Sequence, residues 1–311
     1  MVYQLMPHES PSVFAIIVTY KGKDMTLDCL ASLQEVRYAN LHTVVVDNAS
    51  DDGTVEAVRA QFPAIHVLEA GSNLSYSGGN NLGIEYALEH GADYLFILNN
   101  DVFLDPDIVD ALVQTAEANP HAGMICPKVY YCDQPNVIWS AGSSIDMQTG
   151  GPHLIGNNEE DAGQYDEERP VQVIDGCAIL VTRATCERIG LIDITYFAYY
   201  EDTDWAFRAR QASFEILYTP RAKAWHKVSA TNQINGKRSP FQVYYHMRNH
   251  LLFLSRYSRI TLKKHMAMWG TLLFNLVKYI SGYQRPISRA RMMGILDYYR
   301  GRFGKQVSLH Y

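Results

Sequence analysis

The stretch Asp93-Tyr-Leu-Phe-Ile-Leu-Asn-Asn-Asp101 contains the pattern that decides the fold. Its apolar run, residues 94–98, stops abruptly at Asn99, Asn100 and Asp101. A short apolar run between polar residues is typical of a strand buried on both faces of a parallel sheet. Ligands of open α/β sheets bind beyond the carboxyl ends of such strands. The polar residues here either form a divalent cation site, which favours oxygen ligands, or a turn that caps the next helix.

Strands and helices alternate along the first part of the chain, which predicts an α/β fold with a mainly parallel, Rossmann-like sheet flanked by helices. Strands are predicted at 13–19, 43–46, 65–68, 94–98, 124–131, 177–182, 215–218 and 222–225. Helices are predicted at 24–36, 54–62, 80–90, 106–118 and 201–212, with Asp105 as the cap of the fourth and Pro106 in its first turn. The acid-rich stretch 157–169 is predicted to be a surface excursion.

The five cysteines are scattered and contain no CxxC pair, which argues against a disulfide framework or a zinc site and fits a reducing cytoplasm. Residues 1–12 lack the basic and apolar regions of a signal peptide. We therefore expect a cytoplasmic location.

The C-terminal region is strongly basic. Residues 236–311 hold fourteen Lys and Arg and one acid, a net charge of +13; because the whole chain carries −6, residues 1–235 carry −19. Such a tail suits an anionic membrane surface or a nucleic acid. Apolar residues recur at helical spacing within it, but the uncharged run between His265 and Lys278 is only 12 residues. A spanning helix needs roughly 20, so these helices are predicted to pack on the protein or to lie in a membrane interface.

Polar residues also follow the first two predicted strands. Thr19 and Tyr20 follow the first strand, and Asp47, Asn48 and Ser50 follow the second. At this edge of the sheet Asp47 can accept hydrogen bonds from a nucleotide base or a ribose. Ordinary turn chemistry is the alternative, because Asn, Asp, Ser and Gly are common in turns.

A glycine-rich segment, residues 73–83, precedes the third predicted helix. Gly78, Gly79 and Asn80 would let the backbone approach a phosphate or a sugar closely. The segment has neither the GxGxxG nor the Walker spacing, and a simple helix entry is the alternative.

Three carboxylates open the helix predicted at 201–212. Glu201, Asp202 and Asp204 lie where the helix dipole favours anions, so that Asp202 is expected to stay ionised. N-terminal capping would account for one of them; three indicate a site, with Arg208 as a partner one turn later. His226 follows a short strand and precedes a polar loop, residues 229–239, that can close over a substrate.

Taken together, these motifs resemble the family 2 glycosyltransferases with the GT-A fold, in particular bacterial rhamnosyltransferase-like members that build cell-surface polysaccharide. The resemblance extends over residues 13–304. Its motifs are VTYK (18–21), VDNASDDGT (46–54), GGNNLG (78–83), LNND (98–101), DGCAILVTR (175–183), EDTDWAFR (201–208), WHK (225–227), YYHMRN (244–249) and DYYRGRFG (297–304).

The resemblance implies an inverting transfer that depends on Mg²⁺ or Mn²⁺. It implies a metal bound by Asp101, with His226 compensating for Asn99, which stands where many relatives have an aspartate. It implies Asp202 as the catalytic base, with Glu201 and Asp204 orienting the acceptor or the base. The donor would contact Thr19, Tyr20, Asp47, Asn48, Ser50, Gly78, Gly79, Asn80, Asn99 and Asn100.

The resemblance also implies partners. The favoured donor is dTDP-L-rhamnose, with UDP-hexoses and UDP-galactofuranose as alternatives. The acceptor would be a polysaccharide or a lipid-linked glycan, and residues 236–311 would hold the catalytic domain, residues 1–235, at the anionic inner face of the cytoplasmic membrane. No nucleic acid partner is expected. A catalytically silent nucleotide-sugar-binding module and a nucleotidyltransferase are the alternatives of other classes.

Overall fold

The computed structural model describes residues 10–228, 233–234, 237–258 and 261–306, and only the backbone of residues 233, 234 and 237. The N-terminal residues 1–9 and much of the polar loop 229–239 lie outside the described residues, so closure of that loop stays a prediction. The strands are β1 (Val13–Thr19), β2 (Leu41–Asp47), β3 (His66–Glu69), β4 (Tyr94–Asn99), β5 (Val102–Leu104), β6 (Ala122–Tyr131), β7 (Val137–Ser140), β8 (Ser143–Asp146), β9 (Gly151–Leu154), β10 (Glu159–Glu160), β11 (Arg169–Pro170), β12 (Ala178–Thr182), β13 (Glu215–His226), β14 (Gln233–Ile234) and β15 (Lys237–Arg238). The helices are α1 (Lys23–Gln34), α2 (Thr54–Gln61), α3 (Ser75–Glu89), α4 (Ile108–Ala118), α5 (Arg183–Ile189), α6 (Glu201–Gln211), α7 (Pro240–Tyr257), α8 (Leu262–Ile280) and α9 (Arg285–Tyr299).

The central sheet has two halves. Strands β3, β2, β1 and β4 are parallel neighbours, as the alternation of strands and helices predicts. β12 then runs antiparallel between β4 and β6, and β13 lies parallel to β6. The sheet is therefore mixed, with a parallel half that carries the predicted nucleotide-binding edge.

Helices cover both faces of the parallel half. In β1, Ala15 and Ile17 belong to the apolar core on one face, together with Leu30 of α1. Ile16 points to the other face and belongs to the core that includes Ile84 of α3. A strand buried on both faces explains the continuous apolar run of β1.

Helix α3 begins at Ser75 rather than at residue 80, so the prediction that Gly78 and Gly79 precede the helix is wrong. These glycines instead let the helix approach the sheet. A Cβ on Gly79 would lie 2.7 Å from Val18 Cγ1, and one on Gly83 would lie 2.4 Å from Ile16 Cγ2. Close helix–strand packing therefore accounts for part of the glycine-rich pattern.

Strand β5 was not predicted, because it has only three residues. It follows Asp101 directly and pairs antiparallel with the end of β13, where Val102 lies opposite His226. The next helix begins at Ile108, two residues later than Pro106 predicts. The Asp107 N–H donates to Asp105 Oδ1 at 2.9 Å and forms a turn before the helix.

The three C-terminal helices differ in how they pack. Helix α7 is largely buried, and its Leu252 and Phe253 belong to the same apolar core as the sheet. Helix α8 packs on α9, but its apolar residues face outward; Leu262, Leu273 and Ile280 are 76%, 61% and 69% exposed. Within the described ranges, no helix is both long and apolar enough to cross a membrane. The division of the chain after residue 235 stays a prediction.

Gly83→Ala should lower the free energy of unfolding by about 1–3 kcal/mol, because the new methyl group overpacks the contact with Ile16. Gly270→Ala is the matched control: its Cβ would meet open space on the exposed face of α8, and alanine is the better helix former by roughly 0.8–1 kcal/mol. Urea unfolding of both variants measures the effect. Equal stabilities for Gly83→Ala and the unsubstituted protein would contradict the close helix–sheet contact.

Candidate functional site

The predicted polar residues meet at the carboxyl edge of the parallel half of the sheet. Thr19 at the end of β1 is in register with Asp47 at the end of β2, and Val18 is in register with Asn99 of β4. The adjacent strand ends therefore bring the three predicted segments together at one edge of the sheet.

Asp47 has one oxygen held and one oxygen available. Its Oδ2 accepts from the Ser50 N–H at 2.9 Å, whereas Oδ1 is buried and has no hydrogen-bond partner among the described residues. Ser50 in turn accepts from the Lys21 N–H at 2.9 Å. Tyr20 is about half exposed beside it. A buried carboxylate oxygen without a donor is costly unless a ligand N–H or O–H reaches it.

The first turn of α3 holds further buried acceptors of this kind. Asn80 donates its Nδ2 to Tyr76 O at 2.9 Å, but its Oδ1 has no partner within the described part of the chain, and neither does the hydroxyl of Ser75 or Ser77. Asn48 fixes this turn to the end of β2 by donating to Ser75 O at 2.9 Å. The two serines were missed as site residues, although they stand just before the paired glycines.

Asn100 points away from this group of acceptors. Its Nδ2 donates to the hydroxyl of Thr26 at 3.1 Å and to that of Thr19 at 3.4 Å. The Thr19 and Thr26 hydroxyls also contact each other at 2.8 Å. Thr19 and Asn100 therefore use their side chains to fix the end of β1 against α1.

Asp101 and His226 come together because β5 pairs with β13. Asp101 Oδ1 lies 3.1 Å from His226 Nε2, and both side chains are nearly buried. Trp139 holds the imidazole edge-on, with ring centroids 4.7 Å apart. Among the described residues, no third His, Cys, Asp or Glu joins them to form a complete metal site. One carboxylate and one imidazole can hold Mg²⁺ or Mn²⁺ when phosphate oxygens supply further ligands.

Asp202 lies at the start of α6 and is held in a fixed orientation. Its Oδ2 accepts from the Gly176 N–H at 2.9 Å, and its Oδ1 accepts from the Thr203 N–H at 2.6 Å. The Tyr76 hydroxyl donates to Gly176 O at 2.6 Å from the other side. A Cβ on Gly176 would lie 2.8 Å from the Tyr76 hydroxyl, so the site needs a glycine here.

Burial separates the roles of the two neighbouring acids. It raises the pKa of Glu201 well above its usual range, and the charge of Asp202 raises it further. Burial also raises the pKa of Asp202, against the lowering effect of the N–H groups of Thr203 and Gly176. The prediction that the helix start alone keeps Asp202 ionised neglected this burial. Because Glu201 Oε2 has no partner in the described chain, Glu201 takes up a proton first and Asp202 keeps the charge.

Asp204 is not brought together with Asp202. Its Oδ1 accepts from the hydroxyls of Tyr196 and Tyr257 at 3.0 and 2.7 Å, and its Oδ2 accepts from Arg208 Nε at 2.9 Å. Arg256 of α7 also contacts it at 3.2 Å. The predicted partnership with Arg208 is present, but the fully buried Asp204 joins α6 to α7 rather than facing the cleft.

Asp175 opens the motif at residues 175–183 but was not among the predicted site residues. Its Oδ2 accepts from the hydroxyls of Ser140 and Ser143 at 2.8 and 2.6 Å. Burial raises its pKa to about 6, and the charges of Asp202 and His226 both act on it. Asp175 is therefore close enough to both Asp202 and His226 for their charges to act on its carboxyl group. Its position directly before Gly176 was the available signal.

The loop before α6 depends on two buried side chains of α7. Phe197, Tyr199 and Tyr200 adopt left-handed conformations, with φ of 67°, 66° and 74°. Asn249 Nδ2 donates to the carbonyls of residues 196, 198 and 199 at 2.7–2.8 Å. Arg248 donates to the carbonyls of residues 196 and 304, both at 2.7 Å. The conformation that presents Glu201 and Asp202 is therefore fixed from the C-terminal region.

Comparisons with known proteins agree with this geometry. Residues 14–189 match the family described as glycosyl transferase family 2. The chain is 30% identical over 229 residues to the N-acetylglucosaminyl-diphospho-decaprenol L-rhamnosyltransferase of Mycobacterium tuberculosis, covering 68% of this chain and 74% of that enzyme. It is 25% identical over 259 residues to the dTDP-rhamnosyl transferase RfbF of Shigella flexneri, covering 79% of this chain and 80% of that protein.

A solved structure shows the same fold. The mannosyltransferase PcManGT of Pyrobaculum calidifontis, in complex with GDP-Man and Mn²⁺, superposes with a TM-score of 0.56 and 17% sequence identity. The likeness covers 95% of this chain and 89% of that one. The expected GT-A architecture is confirmed.

Asp175→Asn should alter the pH dependence of stability. The raised pKa means that folding favours protonated Asp175; this stabilisation is complete below the ordinary pKa near 4 and is lost as the pH rises through about 6. Asparagine mimics the protonated acid. As the pH rises, the free energy of unfolding of the variant should therefore increase relative to that of the unsubstituted protein. The difference should reach about 3 kcal/mol at neutral pH.

Urea unfolding at about pH 4.5, 6 and 8 measures this difference. Asp110→Asn, which changes an exposed carboxylate, is the matched control and should show little pH dependence relative to the unsubstituted protein. If the free energies of unfolding of Asp175→Asn and of the unsubstituted protein change with pH in the same way, the raised pKa of a buried carboxylate at this position is contradicted.

Proposed function

The chain belongs to glycosyl transferase family 2, and from this premise we propose that it moves a sugar from a nucleotide diphosphate sugar to a hydroxyl of a glycan acceptor, with inversion at the anomeric carbon. The observation that carries the proposal is the orientation of Asp202 by the N–H groups of Gly176 and Thr203, beside Glu201, whose pKa is raised by burial. A fixed carboxylate of this kind is suited to accept a proton from an attacking hydroxyl.

The donor nucleotide fits the carboxyl edge of β1 and β2. The free oxygen of Asp47 suits a base N–H or a ribose hydroxyl, and the buried oxygens of Ser77 and Asn80 suit other donor hydroxyls. Tyr20 offers an exposed ring beside this position. In this assignment Thr19, Asn48, Ser50, Gly78, Gly79, Asn99 and Asn100 shape the donor site.

A divalent cation, Mg²⁺ or Mn²⁺, fits beside Asp101 and His226. The two side chains offer an oxygen and a nitrogen at close range, and Mg²⁺ commonly uses one or two carboxylates together with substrate phosphates. When bound, the cation would act as a Lewis acid that offsets charge on the departing diphosphate. The solved mannosyltransferase contains Mn²⁺, which supports the choice of metal.

Asp202 would take the proton from the acceptor hydroxyl as that oxygen attacks the anomeric carbon from the face opposite the leaving group. The bond to the diphosphate breaks as the new glycosidic bond forms, so one displacement inverts the configuration and no covalent intermediate is needed. Glu201 would orient the acceptor as a neutral hydrogen-bonding group. Asp204 would act indirectly, by fixing α6 against α7.

We propose dTDP-L-rhamnose as the donor. The names of two relatives support this choice, since one is a dTDP-rhamnosyl transferase and the other an L-rhamnosyltransferase. A UDP-sugar, either a hexose or galactofuranose, would keep the same mechanism. The diphospho-decaprenol in the name of the mycobacterial relative supports a lipid-linked acceptor.

A lipid-linked acceptor gives the C-terminal region a role. We propose that residues 236–311 hold the catalytic domain, residues 1–235, at the inner face of the cytoplasmic membrane. The exposed apolar face of α8 supports this location. Basic residues on α8 and α9 can meet anionic headgroups, each contributing about 1 kcal/mol near the surface. These are Lys263, Lys264, Lys278, Arg285 and Arg289.

Asp202→Asn should lower the turnover of sugar transfer by about 10²–10⁴-fold, because asparagine cannot accept the proton. Donor binding should change little, since among the described residues the hydrogen bonds of the Asp202 carboxylate go to Gly176 and Thr203, away from the proposed donor site at Asp47. Release of nucleoside diphosphate from dTDP-rhamnose, with an N-acetylglucosaminyl diphospholipid as acceptor, measures turnover. Calorimetry with the nucleoside diphosphate measures binding.

Asp107→Asn is the control, because it removes an exposed carboxylate that pairs only with Arg37 among the described residues. Its turnover should equal that of the unsubstituted protein. Full turnover in Asp202→Asn, or loss of donor binding as large as the loss of turnover, would refute the assignment of Asp202 as the base. Donor binding without transfer in the unsubstituted protein would favour a silent binding module.

A further inference from the structure

A small pocket of about 190 Å³ lies beside Tyr200, between β15, α7 and α9. Its polar lining consists of Tyr200, Arg238, His246, His250 and Arg291. Among the described residues, no carboxylate contributes to this lining. The pocket is therefore basic and has the size of a small anion such as a phosphate or a diphosphate.

The two arginines of the pocket have no acidic partner within the ranges that the structure describes. Neither Arg238 nor Arg291 forms a salt bridge with any acid in the described part of the chain; Arg291 donates only to the amide oxygen of Asn275, at 3.3 Å. Burial lowers the pKa of His246 to about 4, and the charges of Arg238 and His250 lower it further. Like charges held together without a counter-ion favour binding of an anion.

The walls of the pocket are held in place by ring contacts. The His246 ring stacks on Tyr199, with centroids 4.3 Å apart, and lies edge-on to Tyr200 at 6.1 Å. The His250 ring stacks on Tyr200 at 5.9 Å, and its Nε2 contacts the Thr149 carbonyl. The Tyr200 hydroxyl donates to Gly150 O at 3.1 Å. An anion would thus meet two imidazoles and a tyrosine ring that are already fixed in position.

The pocket is close to the proposed base. Tyr200 directly precedes Glu201 and Asp202, and the charges of both Asp202 and Arg238 act on its hydroxyl. On the other side, Arg291 belongs to α9, which packs on α8 and its exposed apolar face. A molecule with a sugar at Asp202 and an apolar chain along α8 would place its linking group between them, at this pocket.

We propose that this pocket binds the diphosphate that links the acceptor sugar to its lipid, an inference that rests on the proposed function. Two guanidinium groups are suited to bidentate contacts with phosphate oxygens, and the neutral imidazole of His246 can donate one more hydrogen bond. Arg238 and Arg291 then select acceptors that carry a phosphate ester over neutral glycans. The headgroup of a membrane phospholipid offers the same phosphate chemistry. The experiment below distinguishes it from the acceptor diphosphate.

The test is a binding measurement that does not depend on transfer. Geranyl diphosphate, a soluble lipid diphosphate, is titrated into the full chain and into the double variant Arg238→Gln/Arg291→Gln. The dissociation constant should rise at least about tenfold in the double variant, because each lost charged contact weakens binding by roughly that factor. Geraniol, which lacks the diphosphate, should bind neither protein measurably.

Two control variants separate this pocket from other anion sites. Asp101→Asn, which alters the proposed metal site, should leave the affinity for geranyl diphosphate unchanged when no divalent cation is added. Lys263→Gln/Lys278→Gln removes two charges from α8 and should reduce binding to phosphatidylglycerol vesicles while leaving geranyl diphosphate binding intact. The pocket variant should show the reverse pattern.

Equal affinity for geranyl diphosphate in the pocket variant and the unsubstituted protein would overturn the proposal. A pocket variant that lost vesicle binding but kept geranyl diphosphate binding would also overturn it, since the pocket would then bind phospholipid headgroups. Failure of the chain to bind any nucleoside diphosphate would refute the proposed function, yet it would leave the pocket's anion binding measurable. The two failures are therefore distinguishable.

Discussion

The position of the proposed base depends on three hydrogen bonds from one buried amide. Asn249 Nδ2 donates to three carbonyls of the loop before α6, and Arg248 supports the same loop through the Tyr196 carbonyl. Three non-glycine residues of that loop have positive φ, a conformation that persists only when the surroundings fix it. The buried helix α7 therefore determines where Glu201 and Asp202 lie, although it is separated from them by some forty residues in sequence.

The two halves of the sheet divide the chemistry between them. At the carboxyl edge of the parallel half, Asp47 and the start of α3 hold buried oxygens that have no hydrogen-bond partner among the described residues. The other, mixed half brings Gly176 to Asp202 through the segment before β12, and brings His226 to Asp101 through the pairing of β13 with β5. The charges of Asp202 and His226 both act on Asp175. A donor bound at the parallel half would have to reach the base, Asp202, held by the other half.

The sequence predicts the parallel half of the fold well because its strands are buried on both faces and therefore read as continuous apolar runs. The edge residues Thr19, Asp47 and Asn99 follow from the ends of those runs. The start of α3 was placed too late, because glycine and serine have low helix propensity while contacts with Val18 and Ile16 override it. Strand β5 has too few residues to show the alternation of apolar and polar side chains that identifies a strand in a sequence.

Other features could not be read from the sequence because they depend on tertiary contacts. Asp202 and Asp204 look equivalent at a helix start, yet only the fold shows that Asp204 is enclosed by Tyr196, Arg208 and Tyr257. In the sequence, the basic residues of the C-terminal region likewise look equivalent and form one charged tail. In the structure Arg248 is fully buried, whereas Lys263 is exposed.

We propose above all that this chain binds a nucleoside diphosphate with a divalent cation at the edge formed by Asp47 and Asp101. A thermal-shift panel of dTDP, UDP, GDP and CMP, each with and without Mn²⁺, tests it most directly. A ligand at 100 times its dissociation constant adds about 2.7 kcal/mol of stability. We expect a metal-dependent rise in Tm that is largest with dTDP and is lost in Asp101→Asn. No rise with any nucleotide, with or without Mn²⁺, would contradict it.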